Sequence, residues 1–495
     1  MKRAHRSLKP KTSSQSKVPS PGPIAPAAQM PVVHPHAGGI DVGASEHYVC
    51  VPSDAVPAGE SPVRSFGVFT RDLDQLVDWL QARKVKTVAM ESTGVYWMVL
   101  YEKLERAGIE AVLVNARHLR QVPGRKTDVK DCQWLQQLHS YGLLNGSFRP
   151  SQEIGCLRAL MRHRSNLVVQ KGQQVQHMQR AFQQMNVLLH RVVSDVDGDT
   201  GLRIVDAILA GERDPKVLVQ LRDYRIKRST EAEMEAALSG EWRAEHLLVL
   251  RQAREAHQFF ERQIRACDEA VTAQLQALPS APPPSPPPPE TQPVCRPALP
   301  AAGASVKSGK TQGQRKRRKV GGNEPAADLM PELIRICGVD LSAVSGLNML
   351  GILILLSEVG VDMSGWRSEK AFSAWLGLAP GNKISGGRIL SSRTPYVVNR
   401  VATLLRTLAV TIGRTDTWLG SFHRRMRARL GSAGAATATA RKLACIVYHL
   451  LKYKEPYQDV NRVLYEERIR RHRVHKLRRQ AEELGFEVLE NKKAA

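Results

Sequence analysis

The chain has 495 residues, 42% hydrophobic and 24% charged, and 72 Lys and Arg against 47 Asp and Glu leave a formal net charge of +25. Such a length suggests roughly two to four domains. The charge excludes an acidic solubilising protein and favours a polyanionic partner, because Lys and Arg release counterions when they neutralise phosphates.

Residues 1–37 are basic and rich in Pro, Ser and Ala, with no apolar stretch after the cations; they read as a disordered basic arm rather than a secretory signal. Order begins at Gly38-Gly39-Ile40-Asp41. Glu46 to Val51 and Val63 to Thr70 alternate like paired strands. Leu73, Leu76, Val77 and Leu80 then fall at helical spacing. A short apolar strand (Lys86 to Met90), a helix (about Val95 to Ala107), a strand (Ile109 to Val114) and a helix from about Val129 follow. A strand meander that turns into strand–helix alternation predicts an α/β sheet with both parallel and antiparallel edges over 38–148, the pattern of a ribonuclease-H-like domain.

Residues 149–278 read as a helical coiled-coil region. Met178, Phe182, Met185, Leu189 and Val192 make one heptad seam; Leu250, Ala253, Phe260, Ile264, Cys267 and Val271 make a second, with His257 inside it. Each needs a partner, either the other in an antiparallel pair or another subunit. Seven Lys/Arg against one acid between Arg149 and Arg191 suit either a solvated face or phosphate contact. Residues 279–328 form a linker: eleven prolines in 279–300, then seven Lys/Arg and no acid in 301–320. Gly303 to Gly309-Lys310-Thr311 imitates a phosphate-binding loop, but it has five residues between the glycines and no strand before it. From 329 to 485 the chain is again mostly helical, with a tail over 486–495. The longest apolar run, Leu347 to Leu356, spans ten residues where a bilayer needs about twenty, so no transmembrane helix is expected. Seven cysteines without a C-x-x-C pair argue against structural zinc or a disulfide framework and suit a reducing cytoplasm.

Four acids stand at topologically telling positions. Asp41 ends or interrupts the first strand, Glu91 follows an apolar strand, and Asp128 and Asp131 are one helical turn apart. Gathered carboxylates repel unless a cation neutralises them, and hard oxygen donors suit Mg²⁺ or Mn²⁺ in phosphoryl transfer. Taken singly, Asp128 also suits an N-cap and Asp41 a turn. In the second half, Ser385-Gly386-Gly387 by itself reads as an ordinary turn; the alternative is that Gly386 and Gly387 let backbone N–H groups approach a phosphate, with Lys383, Arg388 and Arg393 at hand. Arginine clusters at 424–429 and 468–479 favour nucleic-acid contact. Trp366, Trp375, Trp418 and Tyr448 are interspersed, and the tryptophans read as core rather than base-stacking platforms.

Ile40-Asp41-Val42-Gly43, Glu91-Ser92-Thr93-Gly94-Val95-Tyr96-Trp97 and Lys126-Thr127-Asp128-Val129-Lys130-Asp131 resemble the DEDD signature of the insertion-sequence one-ten transposase family. The stretch from Gly338-Val339-Asp340 to Ser357-Glu358-Val359-Gly360, and Ala374 to Gly387, resemble that family's C-terminal transposase domain. The resemblance implies a RuvC-like domain whose Asp41, Glu91, Asp128 and Asp131 hold Mg²⁺ or Mn²⁺, and a helical domain whose Ser385 is the nucleophile joining covalently to DNA, with Ser391 and Ser392 as fallbacks. It also implies donor and target DNA as partners, a structured guide RNA, a homo-oligomer of at least two subunits sharing a composite site, and a cytoplasmic, nucleoid-associated bacterial protein. The rival readings are a RuvC-like Holliday-junction nuclease using metal-activated water, and a non-catalytic nucleic-acid-binding protein.

Overall fold

The computed structural model describes residues 30–91, 94–115, 128–226, 229–282 and 323–489, and the chain divides into two compact units, Met1–Phe148 and Arg149–Ala495. Most of the expected basic arm, most of the linker with its loop-like decoy, and the end of the tail lie outside the described residues.

The first unit is built on a mixed sheet. Strands β1 (Ala37–Val42), β2 (Glu46–Cys50), β3 (Val63–Gly67), β4 (Thr87–Glu91) and β5 (Glu110–Val114) lie in the order β3-β2-β1-β4-β5. The meander β1-β2-β3 is antiparallel, and β1, β4 and β5 are mutually parallel. This arrangement fits a ribonuclease-H-like fold. Helices α1 (Thr70–Ala82) and α2 (Trp97–Arg106) cover one face. The period of two along each strand sends Ile40, Val88 and Met90 to that side, where they pack with Leu73, Leu76, Leu80, Leu100 and Leu104. Helix α3 (Asp128–Ser140) covers the other face, where Ala89 and Val114 meet Leu135.

Gly39 explains how closely α3 can lie. A Cβ there would stand 2.3 Å from the Cys132 carbonyl oxygen and 2.3 Å from the Gln136 nitrogen, so the helix backbone rests on the strand where only glycine fits. At the far end of α3 the buried His139 shares a 2.9 Å hydrogen bond with Thr87 Oγ1. Burial, assisted by the nearby His34, pushes the His139 imidazole down to about 4. A folded value below the unfolded one of about 6.5 means that the unfolded chain takes up the proton first, so stability is lost as pH falls from about 6.5 toward 4. Between pH 6.5 and 5 the first unit is expected to lose roughly 1–2 kcal/mol through this group. Urea midpoints at the two pH values check it, with His139→Gln flattening the difference.

In the second unit α4 (Gln152–Gln184) runs antiparallel to α9 (Ala244–Ala277). Gln274 donates to the Glu153 carbonyl, Cys267 Sγ to the Leu160 carbonyl, and Arg164 pairs with Asp268. Between the two fold α5 (Leu189–Val192), α6 (Asp199–Ala210), α7 (Pro215–Val219) and α8 (Glu231–Leu238). This corrects the first seam. Helix α4 ends at Gln184 and Asn186 takes a left-handed φ of 54°, so Met178 to Val192 is not one helical stripe. Its apolar residues instead join Ile204, Leu218 and Leu238 in the core of the folded-back segment.

The chain continues through α10 (Met330–Cys337), α11 (Met349–Val359) and α12 (Glu369–Trp375), a hairpin of β6 (Lys383–Ser385) and β7 (Arg388–Ser391), then α13 (Arg400–Ile412), α14 (Trp418–Tyr453) and α15 (Arg462–Glu483). The apolar run supplies α11, whose Ile352, Leu353, Leu355 and Leu356 are all buried, and no described helix is long and apolar enough to cross a membrane. Trp366 packs with Phe372 and Trp375, Phe372 packs with Tyr448, and the Trp366 carbonyl accepts from the Tyr448 hydroxyl at 2.9 Å; Trp366 and Trp418 are buried as core residues should be, whereas Trp375 is half-buried.

Candidate active site

Strand alternation assigns the acids to a face. Gly39 lies against α3 and Ile40 against the opposite core, so Asp41, one residue on, returns to the α3 side. On β4, Ala89 faces α3 and Met90 the opposite core, so Glu91 also returns to the α3 side. The parallel register pairs Ile40 with Met90, and its next step sets Asp41 beside Glu91. Glu91 is the last residue of β4 rather than the residue beyond it, and both acids are half-buried.

Helix α3 supplies the other two. Its Cys132 lies against Gly39, whose β2 partner is Cys50, and its His139 reaches Thr87, whose β1 partner is Ala37. The helix therefore runs opposite to β1 and brings its N-terminal turn, with Asp128 and Asp131, to the end of the sheet that carries Asp41 and Glu91. Electrostatics agree: the Cys132 thiol is pushed far up by its hydrogen bond with Cys50, by burial, and by negative charge that includes Asp41. Asp131 is half-buried; the Asp128 side chain lies outside the described residues.

Carboxylate oxygens from three segments at one sheet end are the donor chemistry of a hard divalent cation. Among the described residues, however, no three Asp, Glu, His or Cys side chains stand close enough together to hold one. Topology gathers the acids at one end; the described side chains do not complete a metal site.

In the second unit Ser385, Gly386, Gly387 and Arg388 form a two-residue hairpin turn. Ser385 pairs with Arg388, and the two glycines have φ of 54° and 74°, as a type I′ turn requires. The local geometry is thus the turn that the Ser-Gly-Gly spacing also suggested, and it places the hydroxyl at the turn's edge with a guanidinium-bearing residue directly opposite. Ser385, Lys383, Arg388 and Arg393 are all exposed, and Ser391 lies opposite Lys383. The hairpin base is tied by the Gly381 N–H donating to the Arg393 carbonyl at 3.0 Å. Ile384 and Ile389, paired across the strands, are each 62% exposed.

Sequence reasoning passed over two features. Gly39 read as an onset of order and as one of the glycines leaving the Asp41 backbone open to approach, not as the seat of a helix backbone. Glu358, at the end of an apolar helix, is buried and held by Arg162 in a two-pronged pair at 2.8 and 2.9 Å, with Arg158 and Arg400 also beside it. A lone acid closing an apolar run was the available sign.

Residues 38–187 match a family model described as a transposase of the DEDD type, and residues 340–424 match the model described as the transposase IS116/IS110/IS902 family. The first span holds Asp41, Glu91, Asp128 and Asp131; the second holds Lys383, Ser385, Arg388 and Arg393. No curated protein shows a match to the chain.

Proposed function

The chain belongs to the IS116/IS110/IS902 family of transposases, and from that premise we propose that it moves an insertion sequence by attack of the Ser385 hydroxyl on DNA phosphodiesters. The Ser385 Oγ gives up its proton and bonds to phosphorus, one bridging P–O bond of the DNA breaks, and the departing oxygen takes a proton to become a DNA hydroxyl. Attack of a DNA hydroxyl on the resulting phosphoserine restores the serine, so a phosphodiester is conserved at each step without ATP.

The observation that carries this reading is the exposed hairpin, in which glycines on both turn positions leave the approach to Ser385 open and Arg388 stands opposite it. Lys383, Arg388 and Arg393 neutralise the phosphate oxygens, and Arg388 and Arg393 present planar forks suited to them. Asp41, Glu91, Asp128 and Asp131 would hold Mg²⁺ or Mn²⁺, which when bound stabilises developing negative charge on the phosphate oxygens. The reading includes a structured guide RNA that pairs with donor and target DNA and a homo-oligomer, dimer or tetramer; the net charge of +25 supports a polyanion-laden assembly.

The test is a denaturing gel of the full-length protein with labelled DNA carrying the element's ends. A protease-sensitive, denaturation-stable protein–DNA adduct is expected from the wild type and not from Ser385→Ala. An adduct that persists in Ser385→Ala removes the serine assignment, and cleavage without any adduct favours hydrolysis by a RuvC-like nuclease.

A further inference from the structure

Helix α15 is fastened to the rest of its unit near its start. Ser421 Oγ donates to Glu466 Oε1 at 2.6 Å, Arg462 pairs with Asp416 and Glu466, and the Trp418 ring lies 5.7 Å from that of Tyr465. No residue of α15 is buried. Where α15 departs from α14 the two enclose a cleft of about 400 Å³. Its walls are Arg425 from α14 and His472, Arg473, His475, Lys476 and Arg479 from α15, over an apolar contact with Ile469. The opening continues along α14 past Met426 to Arg429. No carboxylate lines it.

Cations on a helix can be balanced by acids one turn away. Here Arg479 pairs with Glu483, but among the described residues Arg425, Arg429, Arg473 and Lys476 have no carboxylate partner. Arg425 is held in place by the rings of Phe422 and Tyr465, at 5.5 and 5.6 Å, yet its buried Nε has no acceptor among the described residues, nor has the buried Tyr465 hydroxyl a partner. A fixed guanidinium with an N–H short of an acceptor is unfavourable. The cleft wall to which that guanidinium belongs carries cations and no carboxylate, which leaves their charge to be balanced by an anion supplied from outside.

We propose that this cleft seats the phosphodiester backbone of a nucleic-acid strand. The inference deepens the proposed function, and rests on its premise that the chain works on nucleic acid. From His472 to Arg479 the α15 wall is about 10 Å long at 1.5 Å per residue, which spans two or three phosphates of a strand that carries one charge per about 3.4 Å of axis. Arginine forks match phosphate geometry, and apolar Ile469 and Met426 suit the sugar edge rather than a second charge.

The experiment uses the full chain carrying Ser385→Ala, in EDTA, so that binding is read without the proposed chemistry. Affinities for duplex DNA, single-stranded DNA and structured RNA of the element's own sequence are measured between 50 and 300 mM salt. Arg425→Gln/Arg473→Gln/Lys476→Gln is expected to lower the slope of log K against log salt by about 2–3 for the strand that occupies the cleft, at roughly 0.9 per duplex phosphate or 0.7 per single-strand phosphate. The probe that responds identifies the strand. Arg473→Gln/Lys476→Gln, confined to a helix without buried residues, gives a second reading that no folding defect can produce. Arg243→Gln/Arg262→Gln/Arg265→Gln, the first just before α9 and the others on it, removes the same charge from exposed positions elsewhere. An unchanged slope with all three probes, or an equal loss in the α9 variant, overturns the cleft assignment. Because no strand is cut in this assay, failure of the serine mechanism leaves its outcome untouched.

Discussion

Asp41→Asn is expected to reduce DNA cleavage by about 10³-fold, equivalent to roughly 4 kcal/mol of activation barrier, while leaving the unfolding midpoint within a degree or two. Asparagine keeps the size and one acceptor of the side chain, so β1 keeps its register against β2 and β4; what disappears is the negative charge at the sheet end. Glu91→Gln, one strand across, should behave alike. Cleavage of an end-labelled oligonucleotide under single-turnover conditions, with thermal unfolding beside it, separates charge from fold. Chelation by EDTA should abolish the wild-type activity and Mg²⁺ or Mn²⁺ restore it. Wild-type cleavage by Asp41→Asn in Mg²⁺ would remove the acidic site from the mechanism.

Glu358→Ala is expected to be the most destabilising single change in the second unit, by about 3–5 kcal/mol. Its carboxylate receives both prongs of Arg162, and Arg158 donates to the Glu358 carbonyl at 2.5 Å and to the Ser357 carbonyl at 3.3 Å. The hydrogen bond to Glu358 raises the Arg162 guanidinium, whereas burial lowers that of Arg158 despite the same carboxylate. Removing the acid leaves Arg158, Arg162 and Arg400 facing one another across a partly buried space with nothing to balance them. The cluster ties α4 to α11 and to the start of α13, so its loss should loosen the scaffold that carries the Ser385 hairpin. Denaturant midpoints check this. Replacing Arg400, whose contact with Glu358 is 3.9 Å and more exposed, should cost much less.

Hydrophobic period and short motifs carried much of this protein. The spacing of Leu73, Leu76, Val77 and Leu80 is enough to make α1, since a stripe of that period can be buried only as a helix. The alternation in β2 and β3 likewise fixes their pairing. Glycines at 386 and 387 demand a turn with two positive φ values, and the acids at 41, 91, 128 and 131 announce themselves by their place relative to the strands. These are local properties: each depends on a few consecutive residues and the geometry of a single element.

Other features depend on residues distant in sequence. Met178 to Val192 keeps heptad spacing, but spacing does not say where a helix stops, and the same apolar residues serve a folded-back core once Asn186 turns the chain. Gly39 acquires its meaning from α3, nearly a hundred residues later, because only the approaching backbone turns an unremarkable glycine into a requirement. Glu358 looks like a stray acid until Arg158 and Arg162, some 200 residues earlier, surround it. The arginines of 424–429 and 468–479 count alike in the charge total. Only the divergence of α14 and α15 sorts those that line a cleft from those that face open water, since composition sums charge whereas binding depends on which charges share a surface.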